Sequence, residues 1–457
     1  MYARLHRLIP RELPSEPPEE PEALLDWFDT QYLPYREWQH FKKDENARQQ
    51  VNKLARLFAV RVLNCYPNAI LRKDGPLAFM QVNRFADSVR RGNAVALVVI
   101  LDGMTHRDAR ELRKFIKETV PDLHLVDSRL VFTILPTITK FCKEALLTAS
   151  PPKHALQNEV AAIGTIIPDQ KDPAEYLHTA PPGSLFFWRV AEPDKTYHER
   201  NSDEMLSDSV RAALWEVAQK LQSVIRNLPK DRSLRLVITS DHGRLIGCSK
   251  RQIWPPSGWQ VHERAAYLTK DGERRYEAHG YAIEGDLVYL SPESFGLPYD
   301  AVCVLSDESF LDASGKGGTV AYPHGGLYPE EVIVDWLEYD LQPQPVSIKA
   351  ILRGKGRPRR PASVELEITN RSSIPLHFVG LEEKTERLSM KTPQRTLQPY
   401  SQETIPVQID AFPNLPRELQ IDAIVRDQNE ELHREPVENQ LDAESMYQTE
   451  PILEDLL

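Results

Sequence analysis

Six side chains of this sequence are of the types that bind hard divalent cations, and they fall at the ends of ordered segments: Asp102, Asp194, His198, Asp241, His242 and His324. Three carboxylates and three imidazoles can be divided between two ions. The chemistry that needs such a pair is attack on a phosphoester, whose oxygens repel an incoming nucleophile. Two cations roughly 3.5–4 Å apart bind those oxygens, acidify a hydroxyl and stabilise the leaving oxygen. A threonine hydroxyl between them can be the nucleophile, because coordination supplies the activation it lacks at its free pKa. Thr137 and Thr139 both precede a helical pattern at 140–148. Thr139 would stand at the helix N-terminus, where backbone N–H groups and the dipole favour a phosphate. Either threonine could instead be a helix N-cap.

Each assignment has a plainer competitor. Asp102-Gly103 after a strand also suits a turn. Asp194 and His198 fit a solvated loop, and Asp203 and Asp208 are nearby alternative carboxylates. Lys140 and Arg244 adjoin site residues and could contact phosphate oxygens, or stand as surface charges. His262 and His279 could position a substrate or be ordinary surface histidines.

The elements that must position these residues are legible from apolar patterning. Residues 94–101 are a continuous apolar run ending in Asp102, as in a central parallel strand. Residues 234–239 form a second run, ending in Ser240-Asp241-His242-Gly243. Between them, 104–120 and 207–228 carry helical periodicity, the first through Leu112, Phe115 and Ile116. Alternating strands and helices predict a doubly wound, mostly parallel α/β sheet. Ligand sites of such sheets lie beyond the carboxyl ends of the strands, where both acidic motifs sit. Residues 10–22 read as an extended, proline- and glutamate-rich arm. Residues 23–70 turn helical, with Leu54, Leu57, Phe58 and Val62 at three- and four-residue spacings.

The chain has 457 residues, enough for two or three domains. We divide it into an N-terminal arm and helical segment (1–90), a catalytic α/β domain (91–340), a small C-terminal β-sandwich (345–435) and an acidic tail (436–457). The sandwich is read from short alternating segments at 346–352, 363–368, 376–380, 403–409 and 419–426. The basic run Arg353, Lys355, Arg357, Arg359 and Arg360 reads as a solvated hairpin, with contact to a nucleic-acid backbone as the alternative. The net charge of −11 argues against bulk coating of nucleic acid. Four cysteines without a C-x-x-C pair, and no signal-peptide pattern, suggest a reduced, cytoplasmic protein. The longest apolar run is far short of the roughly 20 residues of a membrane span.

Taken in order, the motifs are Val-Ile-Leu-Asp-Gly-Met (99–104), Leu-Pro-Thr-Ile-Thr-Lys (135–140), Thr-Ser-Asp-His-Gly-Arg (239–244) and Pro-His-Gly-Gly (323–326), followed by Pro-Glu-Glu-Val-Ile-Val (329–334). The series resembles the alkaline phosphatase superfamily and, within it, the PglZ domain. The Glu-Pro-Asp-x-x-x-His element (192–198) resembles nucleotide pyrophosphatases and phosphodiesterases of the same superfamily, although Tyr197 and Glu199 replace the glycine that usually flanks the histidine. The resemblance implies an alkaline-phosphatase-like fold. It also implies that Asp102, Thr139, Asp241 and His242 serve one metal, and Asp194, His198 and His324 the other. Thr139 would be the nucleophile, transiently phosphorylated or nucleotidylated. Zinc is the implied metal, with manganese in some branches. PglZ domains are associated with BREX-type phage exclusion, so the implied activity is a phosphodiesterase or nuclease on nucleotides or oligonucleotides in anti-phage defence, alongside other defence proteins and with oligomerisation left open. The competing reading is a non-catalytic interaction or scaffold component of such an assembly. The Cys-x-Pro-x-Arg pattern of sulfatases is absent.

Overall fold

In the computed structural model, the apolar run becomes strand β1 (Val95–Asp102), buried at all eight positions. Full burial requires cover on both faces of its sheet. On one face Ala96, Val98 and Ile100 pack with Val82, Phe85 and Val89 of the helix Ala78–Arg90 and with Leu146 and Leu147 of the helix Thr139–Thr148. Each such aliphatic side chain contributes about 1.5–3 kcal/mol by leaving water. The other strands of this sheet are β2 (His124–Phe132), β3 (Thr165–Ile167), β4 (Leu185–Pro193), β5 (Leu234–Ser240) and the strand Ile333–Asp340. Their order is β2, Ile333–Asp340, β5, β1, β4, β3. Pairings β1–β4, β1–β5 and β3–β4 are parallel, and Ile333–Asp340 joins β5 antiparallel. The sheet is therefore mostly parallel, with Ile333–Asp340 running against β5. The description covers residues 11–444, apart from 72–74, 91–93, 157–159, 200–202, 230–232, 269–275, 277–278, 313, 342–345, 373, 385–387, 399–400 and 428–429.

The helix after β1 runs His106–Thr119 and opens with a capping box. The Asp108 N–H donates to Thr105 Oγ1 at 3.2 Å and the Thr105 N–H donates to Asp108 Oδ2 at 3.0 Å. Its apolar face, Leu112, Phe115 and Ile116, is buried, and Phe115 meets Trp215 of the long helix Asp203–Arg226 edge-on at 5.2 Å. N-terminal to the sheet, the helical pattern at 23–70 is realised as Pro21–Trp27, a π-helical turn Phe28–Tyr32, Leu33–Lys42 and Glu45–Leu71. The arm before it is less solvated than its composition suggests. Pro14 and Pro17 are buried, and Trp27 Nε1 donates to the Ser15 carbonyl at 2.9 Å. Between β5 and Ile333–Asp340 the chain adds two small sheets, one of three strands and one of five. The five-stranded sheet contains the hairpin Gln260–His262/Ala265–Leu268. Short strands with irregular apolar spacing kept this insertion from being placed by periodicity alone.

Two compact units emerge: residues 1–123 with 129–341, and residues 124–128 with 342–457. In the second, eight strands form one continuous order. The strand Leu432–Ala443 belongs to both halves. Its first part pairs antiparallel with Ile421–Arg426 and its second part parallel with Ile348–Gly356. The sheet thereby closes over one core that includes Leu352, Val364, Leu366, Phe378, Ile421 and Val425. Residues 436–443, read from charge as the start of an acidic tail, are thus structural. Only Val437 and Leu441 of that strand are buried, too sparse an apolar signal to outweigh its charges. The rest of the expected tail, from 445 on, lies outside the described residues. The basic run occupies the end of Ile348–Gly356 and the turn leading to Ala362–Asn370, where Arg353 pairs with Glu367 and Arg357 with Glu444.

Candidate active site

The topology brings three aspartates together. Strands β5, β1 and β4 are adjacent and parallel. Asp102 is the last residue of β1, Asp194 follows β4, and Asp241 follows β5. All three lie at carboxyl ends, where open α/β sheets bind ligands. His242 adjoins Asp241, and His198 sits one turn after Asp194 on the short helix Asp194–Glu199. His324 comes from the loop that precedes Ile333–Asp340.

Two groups result. Asp102, Asp241 and His242 form the first, and Asp194, His198 and His324 the second. In the first, His242 Nδ1 lies 2.9 Å from the Gly243 carbonyl. A carbonyl only accepts, so Nδ1 carries the proton and Nε2 presents its lone pair. That lone pair faces Asp102 Oδ1 at 3.6 Å, Asp241 Oδ2 at 3.7 Å and Thr139 Oγ1 at 3.0 Å. Asp102 Oδ1 and Asp241 Oδ2 are buried and accept no hydrogen bond. The opposite oxygen of Asp241 accepts from the N–H groups of Gly103 and His242, both at 3.0 Å. Four ligands about 2.0–2.2 Å from one ion stand roughly 3.3–3.6 Å apart. The two carboxylate spacings from His242 Nε2, 3.6 and 3.7 Å, lie near that edge length, while Thr139 Oγ1 at 3.0 Å is closer; two orphaned carboxylate oxygens are what a cation would satisfy. Burial, and behind it the charge of Asp102, pushes Asp241 up to about 6, against the pull of His242.

In the second group His198 Nε2 lies 3.3 Å from Asp194 Oδ1. His324 Nδ1 donates to the Thr137 carbonyl at 2.9 Å, which leaves Nε2 unprotonated. Burial, then His242 and Arg244, hold its pKa well below the usual range. The His242 and His324 rings stack with centroids 4.0 Å apart, so the groups are contiguous.

The remaining expected residues divide. Thr139 begins its helix and turns its hydroxyl to His242. Thr137 is fully buried, and its hydroxyl accepts from the Gly325 N–H at 2.8 Å. Arg244 is fully buried: it donates to the Tyr322 carbonyl at 2.6 Å, lies 4.8 Å over the Tyr197 ring and pairs with Asp194. Gly103, at φ +62°, leaves room for it, since a Cβ there would come within 2.6 Å of Arg244 Nε. Lys140 is exposed. His262 stacks on Tyr267 at 5.3 Å, and His279 is exposed. Asp208 is exposed on its helix, and the side chain of Asp203 is outside the described ones.

Two residues went unnoticed in the sequence. Lys143 pairs with Asp102 through Nζ. It lies four residues after Thr139 on the same helix, so helical spacing could have flagged it. Glu263, on the hairpin turn after Gln260–His262, reaches both His198 and His324. No pattern in the sequence pointed to it.

No family model and no curated protein matches the chain. Among solved structures, it is similar to murine ectonucleotide pyrophosphatase/phosphodiesterase 5 at 15% identity, over 53% of this chain and 87% of that one, with a TM-score of 0.37. The human counterpart is 14% identical over the same shares, with a TM-score of 0.36. Phosphonoacetate hydrolase from Sinorhizobium meliloti 1021 is 12% identical over 54% of this chain and 90% of that one, with a TM-score of 0.35.

Proposed function

We propose that this chain is a metal-dependent phosphoester hydrolase with Thr139 as its nucleophile. One observation carries the reading: Thr139 Oγ1, at the head of a helix, lies 3.0 Å from His242 Nε2, beside the orphaned oxygens of Asp102 and Asp241. Asp102, Asp241, His242 and Thr139 would hold one divalent ion, and Asp194, His198 and His324 another, with zinc first and manganese as the alternative. When bound, such ions supply Lewis acidity toward phosphoryl oxygens and lower the pKa of a hydroxyl. The chain does the rest. Thr139 Oγ1 attacks phosphorus while the bond to the leaving alcohol breaks, and the hydroxyl proton ends on that alcohol. Water then releases the phosphoryl group from Thr139. The backbone N–H groups at the start of Thr139–Thr148 would favour the negative charge of a phosphate there.

The order of the motifs and their PglZ resemblance support a diester of a nucleotide or oligonucleotide as substrate, and a place in anti-phage defence. A second reading has its own support. Lys143 already pairs with Asp102 and Arg244 with Asp194, so protein cations occupy part of the carboxylate charge. In that reading the fold is a scaffold that binds no metal. Hydrolysis of bis-p-nitrophenyl phosphate and p-nitrophenyl phosphate, after stripping metal and restoring zinc or manganese, separates the two. Metal-dependent turnover of the diester that is lost in Thr139→Ala is expected. No bound metal and no turnover would leave the scaffold.

A further inference from the structure

We infer that the outer face of the small three-stranded sheet, through Trp254, Lys250 and Lys316, holds the nucleotides that flank the reacting phosphodiester of a single-stranded oligonucleotide. The inference rests on the reading of the site as a phosphodiester hydrolase and adds where the rest of the substrate lies.

The strand Cys248–Ile253 alternates, with Ser249 buried and Cys248, Lys250 and Gln252 exposed. It pairs antiparallel with Gly318–Ala321, which sets the exposed Thr319 beside Lys250, and parallel with Ser309–Phe310. Trp254 follows at the next outward position. At 72% it is the most exposed large apolar side chain among the described residues. A Cβ at Gly315 would meet its ring at 3.6 Å, so the indole rests on that glycine and keeps most of its surface in water. Lys316 adjoins Gly315, and Lys250 lies two outward positions before Trp254. Both lysines are exposed, and among the described residues no carboxylate pairs with either. The nearby carboxylates are engaged. Asp312 Oδ1 accepts from the Ser314 and Lys316 N–H groups, each at 2.9 Å, and Glu308 accepts from Gln252. An open aromatic ring among unpaired ammonium groups suits a nucleic-acid strand, with bases on the ring and phosphates on the cations. A protein partner would instead be met by a contiguous apolar patch, and here the tryptophan stands among exposed polar side chains.

This face leads into the site along two routes. The Cys248–Ala321 pairing continues as the Tyr322 N–H donates to the Gly247 carbonyl at 2.7 Å and the Leu245 N–H to the Pro323 carbonyl at 2.9 Å. The ladder therefore runs into the Asp241-His242 turn and the His324 loop. At its other end the Leu311 N–H donates to the Ile253 carbonyl at 2.9 Å and the Phe310 N–H to the Glu263 carbonyl at 2.8 Å. Glu263 in turn accepts the His324 N–H at 2.9 Å and lies 3.7 Å from His198, whose side chain is 45% exposed and marks where the site opens. Thr319 precedes His324 by five residues, at most about 18 Å of extended chain. That is the length of about five stacked nucleotides.

The test is fluorescence anisotropy of a fluorescein-labelled oligothymidylate of about 12 nucleotides, a length that one such surface can hold. It is titrated with the full chain, stripped of metal and kept in chelator, at low salt. The unmutated protein is expected to bind. Trp254→Ala should weaken binding by about 5–100-fold, the loss of one base–ring stack, and Trp254→Phe should recover most of it. Lys250→Gln should weaken binding and lower the slope of log affinity against log salt by about 0.7, the share of one single-strand phosphate. Both side chains are exposed, so the urea midpoints should match that of the unmutated protein. No binding by the unmutated protein overturns the inference. Equal binding by Trp254→Ala also overturns it and leaves the exposed ring to a protein partner. Turnover of bis-p-nitrophenyl phosphate by the unmutated, metal-restored protein is measured separately. Turnover together with unaltered oligonucleotide binding in the variants leaves the hydrolase and removes the strand-binding face. No turnover together with weakened binding in Trp254→Ala leaves the face and removes the hydrolase.

Discussion

Asp241→Asn should stabilise the metal-free protein while destroying the proposed metal site. Asp241 is fully buried, and burial with the charge of Asp102 raises its pKa from 3.8 to about 6. A carboxyl group whose pKa is higher in the folded state favours folding while protonated. That relative stability is complete below the unfolded value near 4 and is lost as pH rises through about 6. Two pH units at 1.36 kcal/mol each give a penalty of about 3 kcal/mol above pH 6. Asparagine keeps an oxygen for the Gly103 and His242 N–H groups, each now at 3.0 Å. Its NH₂ replaces Oδ2 and places a donor toward the His242 lone pair, 3.7 Å away. With chelator present, the variant should exceed the unmutated protein by about 1–3 kcal/mol at pH 8, with the gap closing near pH 4. With zinc at about 1,000 times its Kd the order should reverse, because such an ion adds about 4.1 kcal/mol to the protein that binds it. All seven tryptophans lie in the unit holding the site, so urea titration followed by tryptophan fluorescence reports that unit. A metal-free variant that is less stable by the same amount at pH 4 and pH 8 would refute the claim that the site is electrostatically unsatisfied.

Three further outcomes are expected. Thr139→Ala should lower diester turnover by about 10³-fold or more with little change in unfolding midpoint, since the hydroxyl is at the helix start and only half-buried; steady-state kinetics beside a urea titration checks both halves. Glu330→Ala should cost about 3–5 kcal/mol, because it strands the buried Arg36, whose Nε it binds at 2.9 Å, and removes the acceptor of the Tyr32 hydroxyl at 2.8 Å; the same titration measures it. Gly243→Ala should abolish tight binding of the first ion while the chain still folds, because the new Cβ would sit 2.1 Å from the Glu330 carbonyl and push the Asp241-His242 segment off its place; zinc titration against a chelator reads the loss.

What the sequence could convey follows from which interactions are local. The Asp102 and Asp241 positions were legible because a buried parallel strand is a run of apolar residues with a polar stop, and the stop marks the carboxyl end. Adjacency of β4, β1 and β5 was not, yet it is that order which puts Asp194 beside the other two. The choice between Thr137 and Thr139 could not be made from spacing, since both precede the same helix. The contacts that distinguish them are long-range: Gly325 and His324 engage Thr137, whereas Thr139 faces His242. The same long-range logic explains the Glu330-Glu331 pair, which reads in sequence as a charged helix start. Their backbone carbonyls receive the N–H groups of Arg244 and Gly243 at 2.9 Å. The Glu331 carboxylate takes the Gly326 and Tyr328 N–H groups together with Arg264. Glu330 meanwhile binds Tyr32 and Arg36 of the N-terminal helices. One dipeptide thus ties the Asp241-His242 turn, the His324 loop and the N-terminal segment into one frame. The N-terminal helices are on this account part of what positions the site, although their own sequence carries no residue of its chemistry.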